Sequence, residues 1–167
     1  FCDIVEKAQP NAAHQAIASL GQRPGKRVTV VTQNIDDLHQ RAGSKPVWCV
    51  HGNLEWSRCV RCHARVKTAE LMDIIRRGEV PTHSCGGVFK PEVTFFGELL
   101  PERDFREAQS AIAEADLLVV VGSSLVVYPA AALPFERSRQ CRYVIINRDP
   151  TDQDNSADLV IHDSAGE

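Results

Sequence analysis

Several polar side chains that could bind a ligand stand close together in the first third of the chain. Gln33, Asn34 and Asp36 directly follow residues 28–32, a run rich in β-branched residues that predicts a short buried strand. In open α/β sheets ligands bind where the strands end, so these three side chains are candidates for a binding site. The alternative is that they are ordinary helix-capping and turn residues.

A histidine follows soon after these polar residues. His51 precedes Gly52 and comes after a second short apolar stretch, residues 47–50. A neutral imidazole has an unperturbed pKa of about 6.5, so it can accept the proton of a hydroxyl group at physiological pH. Taken alone, a histidine in this position is more often a structural or surface residue than a general base.

The cysteines form the second group of reactive side chains. The chain has six of them at uneven spacing, and two belong to a CxxC motif, Cys59-Val60-Arg61-Cys62. Such a motif supplies half of a tetrahedral zinc site. The uneven spacing favours a metal site in a reducing compartment over a disulfide framework.

The elements that must position these residues alternate between helix and strand. Asn34 is a candidate N-cap, Gly43 has the C′ position of the same helix, and Thr68 has the position of a capping-box residue. Helical spacing predicts helices over residues 11–20, 35–42, 68–78, 101–115 and 129–138, and apolar runs predict strands over 28–32, 117–121, 143–146 and 159–161. The run 117–121 is typical of a central parallel strand that is buried on both faces. This alternation indicates an α/β fold with a doubly wound parallel sheet.

Length and charge limit the classes of partner. A chain of 167 residues can form one domain with a hydrophobic core and a small added module. Its net charge of −3 gives no reason to expect direct binding of nucleic acid or of an anionic membrane. No apolar run approaches the roughly 20 residues that a membrane span needs, and no signal peptide opens the chain. We therefore expect a cytoplasmic protein.

Short motifs follow one another along the chain in a particular order. They are TQNIDDLH at 32–39, AG at 42–43, HG at 51–52, the CxxC motif, KPEVTFFGE at 90–98, GSSLVVYPAA at 122–131, IIN at 145–147, and ADLVI followed by AGE at 157–167. This series resembles the sirtuins, the NAD-dependent protein deacylases. The resemblance extends over essentially the whole chain.

The resemblance implies a particular domain organisation. Residues 1–52 and 91–167 would form a Rossmann-like NAD-binding domain, and residues 53–90 a small zinc-ribbon-like module inserted into it. Sirtuins carry a glycine-rich phosphate-binding loop near the start of the domain, but only Gly21 and Gly25 precede Gly43 here. We therefore expect a chain that lacks the N-terminal strand and loop. One strand edge and one apolar face would then be uncovered, NAD would bind far more weakly than to a complete domain, and the chain by itself would not turn over acyl-lysine.

The resemblance also implies an enzyme, in chemical terms a transferase. It would move the acyl group of an acyl-lysine protein or peptide to the ADP-ribose of NAD, releasing nicotinamide, free lysine and O-acyl-ADP-ribose. Asn34 and Asp36 would line the nicotinamide pocket, and His51 would be the general base. An amide-bearing ring needs a donor and an acceptor, which Asn34 and Asp36 provide between them. Further contacts with NAD are expected from Gln33, Gly122, Ser123, Ser124 and Asn147.

Two further segments resemble those between which sirtuins hold an extended acyl-lysine peptide. Such binding would be β-augmentation, in which main-chain hydrogen bonds give affinity with little demand on peptide sequence. Val93 and Phe96 could equally be core residues. The residues concerned are Val93, Thr94, Phe96, Gly97 and Glu98 in the first segment, and Leu125, Val126 and Val127 in the second.

The metal module departs from the family pattern. Sirtuins usually have a second CxxC motif, but here Thr82 stands where its first cysteine would be and Cys85 matches the second. His83 is a candidate for the fourth ligand, beside Cys59, Cys62 and Cys85, because zinc accepts Cys₃His sets. His63 is a poorer candidate because its neighbour Cys62 already coordinates. Any such zinc would be structural, and the alternative is a module that has lost its metal.

Two other functions remain open at this point. One is a different NAD enzyme on the same scaffold, either a glycohydrolase or an ADP-ribosyltransferase, which would release nicotinamide without an acyl-lysine substrate. The other is a module that binds NAD or ADP-ribose without turnover.

Overall fold

The computed structural model describes residues 7–166. Residues 1–6 of the predicted domain, and Glu167 of its closing AGE motif, lie outside this range. Helix α1 spans Ala12–Gly21, as the sequence predicts. The side-chain oxygen of Asn11 accepts a hydrogen bond from the backbone N–H of His14 (3.1 Å), which makes Asn11 the N-cap. None of the described helices has the length and apolar character that a bilayer crossing requires.

The first two strands are parallel and adjacent. Strand β1 spans Val30–Thr32 and pairs with β2, Val47–Cys49. The helix between them, α2, is only Leu38–Arg41, so the prediction of a helix over 35–42 capped by Asn34 is wrong. The Asn34 N–H donates to the hydroxyl of Thr32 (3.1 Å) and the Leu38 N–H donates to the carboxylate of Asp36 (3.0 Å). These bonds hold residues 33–37 in an irregular turn, and the helix begins only after it.

The inserted module is built on an antiparallel sheet. The long strand β3, Gly52–Cys59, pairs with β4, Arg65–Lys67, on one side and with β5, Phe89–Val93, on the other. Helix α3, Thr68–Arg76, follows β4 directly. The predicted capping role of Thr68 is wrong, because its hydroxyl pairs with that of Ser57 (2.8 Å). Glu70 lies in the first turn of α3, and its carboxylate accepts from the N–H of Lys67 (3.3 Å).

The second half of the chain forms a parallel sheet with its connecting helices. Helix α4, Glu102–Ala113, leads into β6, Leu117–Val121, which pairs with β7, Arg142–Ile146, and this strand in turn with β8, Leu159–Ile161. The helix predicted over 129–138 is a 3₁₀ helix, Ala130–Glu136, because Pro134 inside it cannot donate a helical hydrogen bond. A second 3₁₀ helix, Asp154–Ser156, precedes β8.

The main core lies between α4, the longer 3₁₀ helix and the first strands. Its buried members are Val50, Ala108, Ile112, Ala130 and Leu133, with Val31, Trp48, Phe105 and Leu118 packed against them. A smaller cluster joins Leu125 to Tyr143 and Ile145 of β7. The helical face predicted for residues 101–115 therefore does pack into the core through Phe105, Ala108 and Ile112.

One face of the second sheet is uncovered. Leu117, Val119 and Val121 alternate along β6 with their side chains exposed, and within residues 7–166 this strand pairs only with β7. The prediction that β6 is buried on both faces is therefore wrong for the described part of the chain. Within the described residues, β6 therefore has an unpaired edge and the sheet has an exposed apolar face.

We predict that Gly52→Ala strongly destabilises the fold. Gly52 has φ +76°, and a Cβ there would collide with the carbonyl oxygen of Glu92 on the adjacent strand. The backbone strain alone costs roughly 1–2 kcal/mol, and we expect the collision to bring the total above about 3 kcal/mol. Urea unfolding of the purified protein measures the loss.

Gly78→Ala is the matched control. Gly78 has φ +75°, but nothing lies within 4 Å of the position that its Cβ would occupy. Only the strain of roughly 1–2 kcal/mol should then appear. Equal losses for the two variants would mean that the approach of β3 to β5 at Gly52 is not a constraint on the fold.

Candidate active site

The histidine of the HG motif is fixed through both its side chain and its main chain. His51 lies between β2 and β3, half-buried, and its Nδ1 is 3.2 Å from the carbonyl oxygen of Gln33. A carbonyl can only accept, so Nδ1 carries the proton when the imidazole is neutral. The free lone pair is then on Nε2, which makes this nitrogen the basic one. The carbonyl oxygen of His51 in turn accepts from the N–H of Thr94 (2.9 Å).

The turn after β1 brings the predicted polar residues to the same edge as His51. Gln33 is half-buried and its carbonyl oxygen holds the imidazole, a main-chain role that its side-chain type does not reveal. Asp36 is also half-buried, with one carboxylate oxygen bound to the N–H of Leu38. Asn34 is exposed, and within residues 7–166 its side chain has no hydrogen-bond partner. The pairing of β1 with β2 thus puts the turn that carries Asn34 and Asp36 at the same end of the two strands as His51.

A second group of predicted residues lies at the carboxyl ends of β6 and β7. Gly122 has φ +62°, and its N–H donates to the carbonyl oxygen of Ile146 (2.9 Å). Nothing occupies the space around its missing Cβ. Ser124 is exposed, whereas the hydroxyl of Ser123 accepts from the N–H of Leu125 (3.3 Å).

Asn147 ends β7 beside that turn. Its side-chain nitrogen donates to the carbonyl oxygen of Asp149 (2.7 Å), so its side-chain oxygen remains available as an acceptor. Because β6 and β7 are parallel, Gly122 and Asn147 meet at one edge of the sheet. This is the edge at which open α/β sheets bind nucleotides.

The two predicted peptide-binding segments contain both buried and exposed side chains. Val93 and Leu125 are buried, so their side chains belong to the core and only their main chains could meet a ligand. Phe96 is fully exposed (100%), and Val126 and Val127 are also exposed. Thr94 is half-buried, and Gly97 and Glu98 form an exposed turn with it.

Leu125 has an unusual backbone. Its φ of +55° is rare for a branched residue, yet its side chain is almost fully buried against Tyr143 and Ile145. The packing compensates for the strain, which is of the order of 1–3 kcal/mol for such conformations. The chain therefore turns sharply between the Gly122–Ser124 turn and the exposed residues Val126 and Val127.

The four predicted metal ligands lie together. One ligand atom from each of Cys59, Cys62, His83 and Cys85 falls within 4.8 Å of all the others. The Sγ atoms of Cys59 and Cys85 are 3.6 Å apart, and Nδ1 of His83 is 3.3 Å from Sγ of Cys62. His63 is not part of this cluster, as expected of the poorer candidate.

These distances fit zinc. In a tetrahedral site with Zn–S of about 2.3 Å and Zn–N of about 2.0–2.1 Å, two thiolates are roughly 3.8 Å apart and a thiolate and an imidazole nitrogen roughly 3.5 Å. The backbone N–H of Cys62 lowers the pKa of Cys59 to about 7, which favours the thiolate that a metal needs. The His83 ring also meets the edge of Phe89 at a centroid distance of 5.6 Å. All four ligands belong to the inserted module, so zinc here would be structural.

Three comparisons with known proteins bear on this arrangement. A family model described as "Sir2 family" matches residues 2–129. An "NAD-dependent protein deacetylase" from Cutibacterium acnes is 48% identical over 161 residues, which are 96% of this chain and 64% of the relative. An "NAD-dependent protein deacylase 2" from Archaeoglobus fulgidus is 44% identical with the same coverage. This chain thus spans 64% of the length of these two relatives.

Solved structures described as Sir2 proteins are also similar to this structure. One described as "Sir2-p53 peptide-NAD+" superposes with a TM-score of 0.90 at 41% identity, covering 96% of this chain and 68% of that chain. Another, "Structure of Sir2Tm bound to a propionylated peptide", has the same TM-score, identity and coverage. The predicted Rossmann-like α/β fold class is confirmed by these superpositions.

We predict that the purified protein binds about one zinc ion per chain and that losing a ligand lowers both metal content and thermal stability, because metal binding contributes directly to folding. Cys59→Ser and His83→Ala should each show the loss by elemental analysis and thermal denaturation. His63→Ala is the control, since His63 is an exposed neighbour outside the cluster. Full zinc content in His83→Ala with loss in His63→Ala would reverse the ligand assignment.

Proposed function

Because this chain belongs to the Sir2 family, we propose that it carries the catalytic residues of an NAD-dependent protein-lysine deacylase. The relatives are named deacetylases and deacylases, and structures similar to this one include an acetylated and a propionylated peptide. We therefore propose acyl-lysine proteins or peptides with short acyl chains as substrates. NAD is the proposed cosubstrate.

The main support for this proposal is the hydrogen bond that fixes the tautomer of His51. Its Nδ1–H bond to the carbonyl oxygen of Gln33 (3.2 Å) leaves Nε2 as the proton acceptor. A base in a fixed tautomer suits a reaction in which a ribose hydroxyl must lose a proton. An imidazole held in this way can act without first rearranging its protons.

Each residue near His51 would have its own role in binding NAD or in orienting the histidine. NAD, when bound, supplies the ADP-ribose that accepts the acyl group, with nicotinamide as the leaving group. The side chains of Asn34 and Asp36 would donate to and accept from the carboxamide of nicotinamide. His51 would take a ribose hydroxyl proton onto Nε2. Gln33 would hold the histidine through its carbonyl oxygen and lie against the ribose next to nicotinamide.

The far half of the cofactor would lie along the second sheet. The turn Gly122–Ser124 offers small side chains, the N–H groups of Ser123 and Ser124 and the exposed hydroxyl of Ser124 to a ribose or a phosphate. The free side-chain oxygen of Asn147 can accept from the hydroxyls of the adenine ribose. His51 follows β2 in the first sheet, and Gly122 and Asn147 follow β6 and β7 in the second, so the proposed ligand would extend from one sheet to the other.

An acyl-lysine peptide would bind between residues 94–98 and residues 125–127. Both segments contain exposed residues, and a peptide strand would add to them by β-augmentation. The exposed side chains of Phe96, Val126 and Val127 would cover the aliphatic part of the acyl-lysine. Such contacts place little demand on the peptide sequence.

In the full-length domain, we predict that His51→Ala lowers deacylation of an acetyl-lysine peptide by roughly 10²–10⁴-fold, the usual contribution of a general base. Nicotinamide exchange, which precedes the proton transfer, should fall less. Product formation by mass spectrometry and exchange of labelled nicotinamide measure the two steps on the same protein.

His63→Ala serves as the control, because His63 is exposed in the metal module and is not one of the proposed site residues. Deacylation by His51→Ala at the level of the unsubstituted protein would refute the role of His51. Release of nicotinamide in the absence of any acyl-lysine peptide would instead favour a glycohydrolase or an ADP-ribosyltransferase.

A further inference from the structure

The turn that follows β5 is closed by an internal ion pair. The carboxylate of Glu98 accepts from the ammonium group of Lys90 (2.6 Å) and from the backbone N–H of Phe95 (2.9 Å). Lys90 also donates to the carbonyl oxygen of Val93 (2.9 Å). Its Nζ lies 4.7 Å from the centroid of the Phe95 ring. Lys90 at one end of the turn is thus joined to Glu98 at the other.

These contacts keep Glu98 ionised and pair its negative charge with the positive charge of Lys90. The hydrogen bond from Lys90 and then that from the Phe95 N–H hold the pKa of Glu98 below its ordinary value, so the carboxylate is ionised at neutral pH. Its negative charge is compensated by Lys90 within the same turn. Glu98 is therefore directed at its own chain, although its position in the FFGE motif would suggest a direct contact with a substrate.

Apolar packing contributes little to the shape of this turn. Phe95, Phe96 and Leu99 are 54%, 100% and 95% exposed. Gly97 has φ +87°, a conformation that gives the turn its direction but no attachment to the core. The polar contacts of Lys90 and Glu98, with the bond from the Glu98 N–H to the Phe95 carbonyl oxygen (3.0 Å), are what define the conformation.

The base of the turn is attached to the proposed catalytic histidine. The Thr94 N–H donates to the carbonyl oxygen of His51 (2.9 Å), and Val93 pairs with Gly52 across the sheet. The backbone is therefore fixed up to Thr94 by the sheet. Beyond Thr94, within the described residues, the contacts of Lys90 and Glu98 continue that order to Phe96 and Gly97.

We propose that Lys90 and Glu98 are positioning residues that hold the turn 94–98 in the shape that an acyl-lysine peptide requires. This inference rests on the proposed deacylase function. Glu98 acts on the peptide through the turn, whose main chain and Phe96 side chain make the contact. Without the ion pair, the turn samples other conformations, and a peptide must order it on binding.

Three substitutions separate this role from general stability. Lys90→Met and Glu98→Gln remove one charge each with little change in volume, and Lys90→Arg restores the positive charge. Arg77→Gln is the matched control, because Arg77 and Glu79 form an exposed ion pair of similar length (2.8 Å) elsewhere in the module. Acetyl-lysine peptide affinity is measured by fluorescence anisotropy, and KM and kcat are measured by product formation.

Lys90→Met and Glu98→Gln should each raise the peptide Kd and KM by about 3–10-fold, the effect of a charge-assisted bond reduced by its solvent exposure. The KM for NAD and the kcat should remain within about 2-fold, because the substitutions leave the bond from Thr94 to His51 in place. Hydrogen exchange at residues 95–98 should become faster. Lys90→Arg should recover most of the peptide affinity, and Arg77→Gln should change none of these quantities.

The outcomes distinguish this proposal from the proposed function. A protein that binds and deacylates the peptide, with unchanged Kd and hydrogen exchange in Lys90→Met and Glu98→Gln, would overturn the positioning role alone. An unsubstituted protein that neither binds nor deacylates the peptide would overturn the proposed function and this inference with it. An equal loss in the peptide and NAD constants would also overturn it, since that indicates a general loss of structure.

Discussion

The close contact between β3 and β5 at Gly52 is the constraint on which the rest of the site depends. A side chain at Gly52 would meet the carbonyl oxygen of Glu92, so the two strands can approach only because this residue is glycine. That approach brings the Thr94 N–H to the carbonyl oxygen of His51. The proposed base is therefore joined by a main-chain hydrogen bond to the residue at which the proposed peptide turn begins.

The same pair of strands connects this unit to the metal cluster. Gly52 pairs with Val93 at one end of β3, and Cys59 pairs with Phe89 at the other. Cys59 is fully buried, and Phe89 meets the ring of His83. Soft thiolate and imidazole ligands bind zinc strongly enough to contribute folding energy that so small a module lacks in apolar packing. The metal is thus expected to act on the site through the rigidity of β3 and β5, since none of its ligands reaches His51.

A buried network of polar side chains stabilises the second sheet. The hydroxyl of Tyr143 donates to the side-chain oxygen of Gln153 (3.0 Å), whose nitrogen donates to the carbonyl oxygen of Ala131 (2.8 Å). Burial raises the pKa of Tyr143 to about 12, so its proton stays available for this bond. The network joins the end of the GSSLVVYPAA motif to β7 and to the loop before β8. It fixes the segment that carries the proposed NAD and peptide contacts.

The sequence by itself determined the fold class, the strands β1, β6, β7 and β8, the helices α1, α3 and α4, and the four residues of the metal cluster, because these follow from local apolar patterns and from side-chain types. It also identified His51 as the candidate base. The tertiary structure decided that α2 begins after Asp36, that Val93 and Leu125 are buried and that Gln33 holds His51 through its carbonyl oxygen. It likewise decided that the carboxylate of Glu98 faces Lys90. Every residue has the same main-chain carbonyl and N–H groups, and burial depends on what the chain brings together from distant positions. Such contacts are set by strand pairing and packing, for which a local sequence pattern carries no signal.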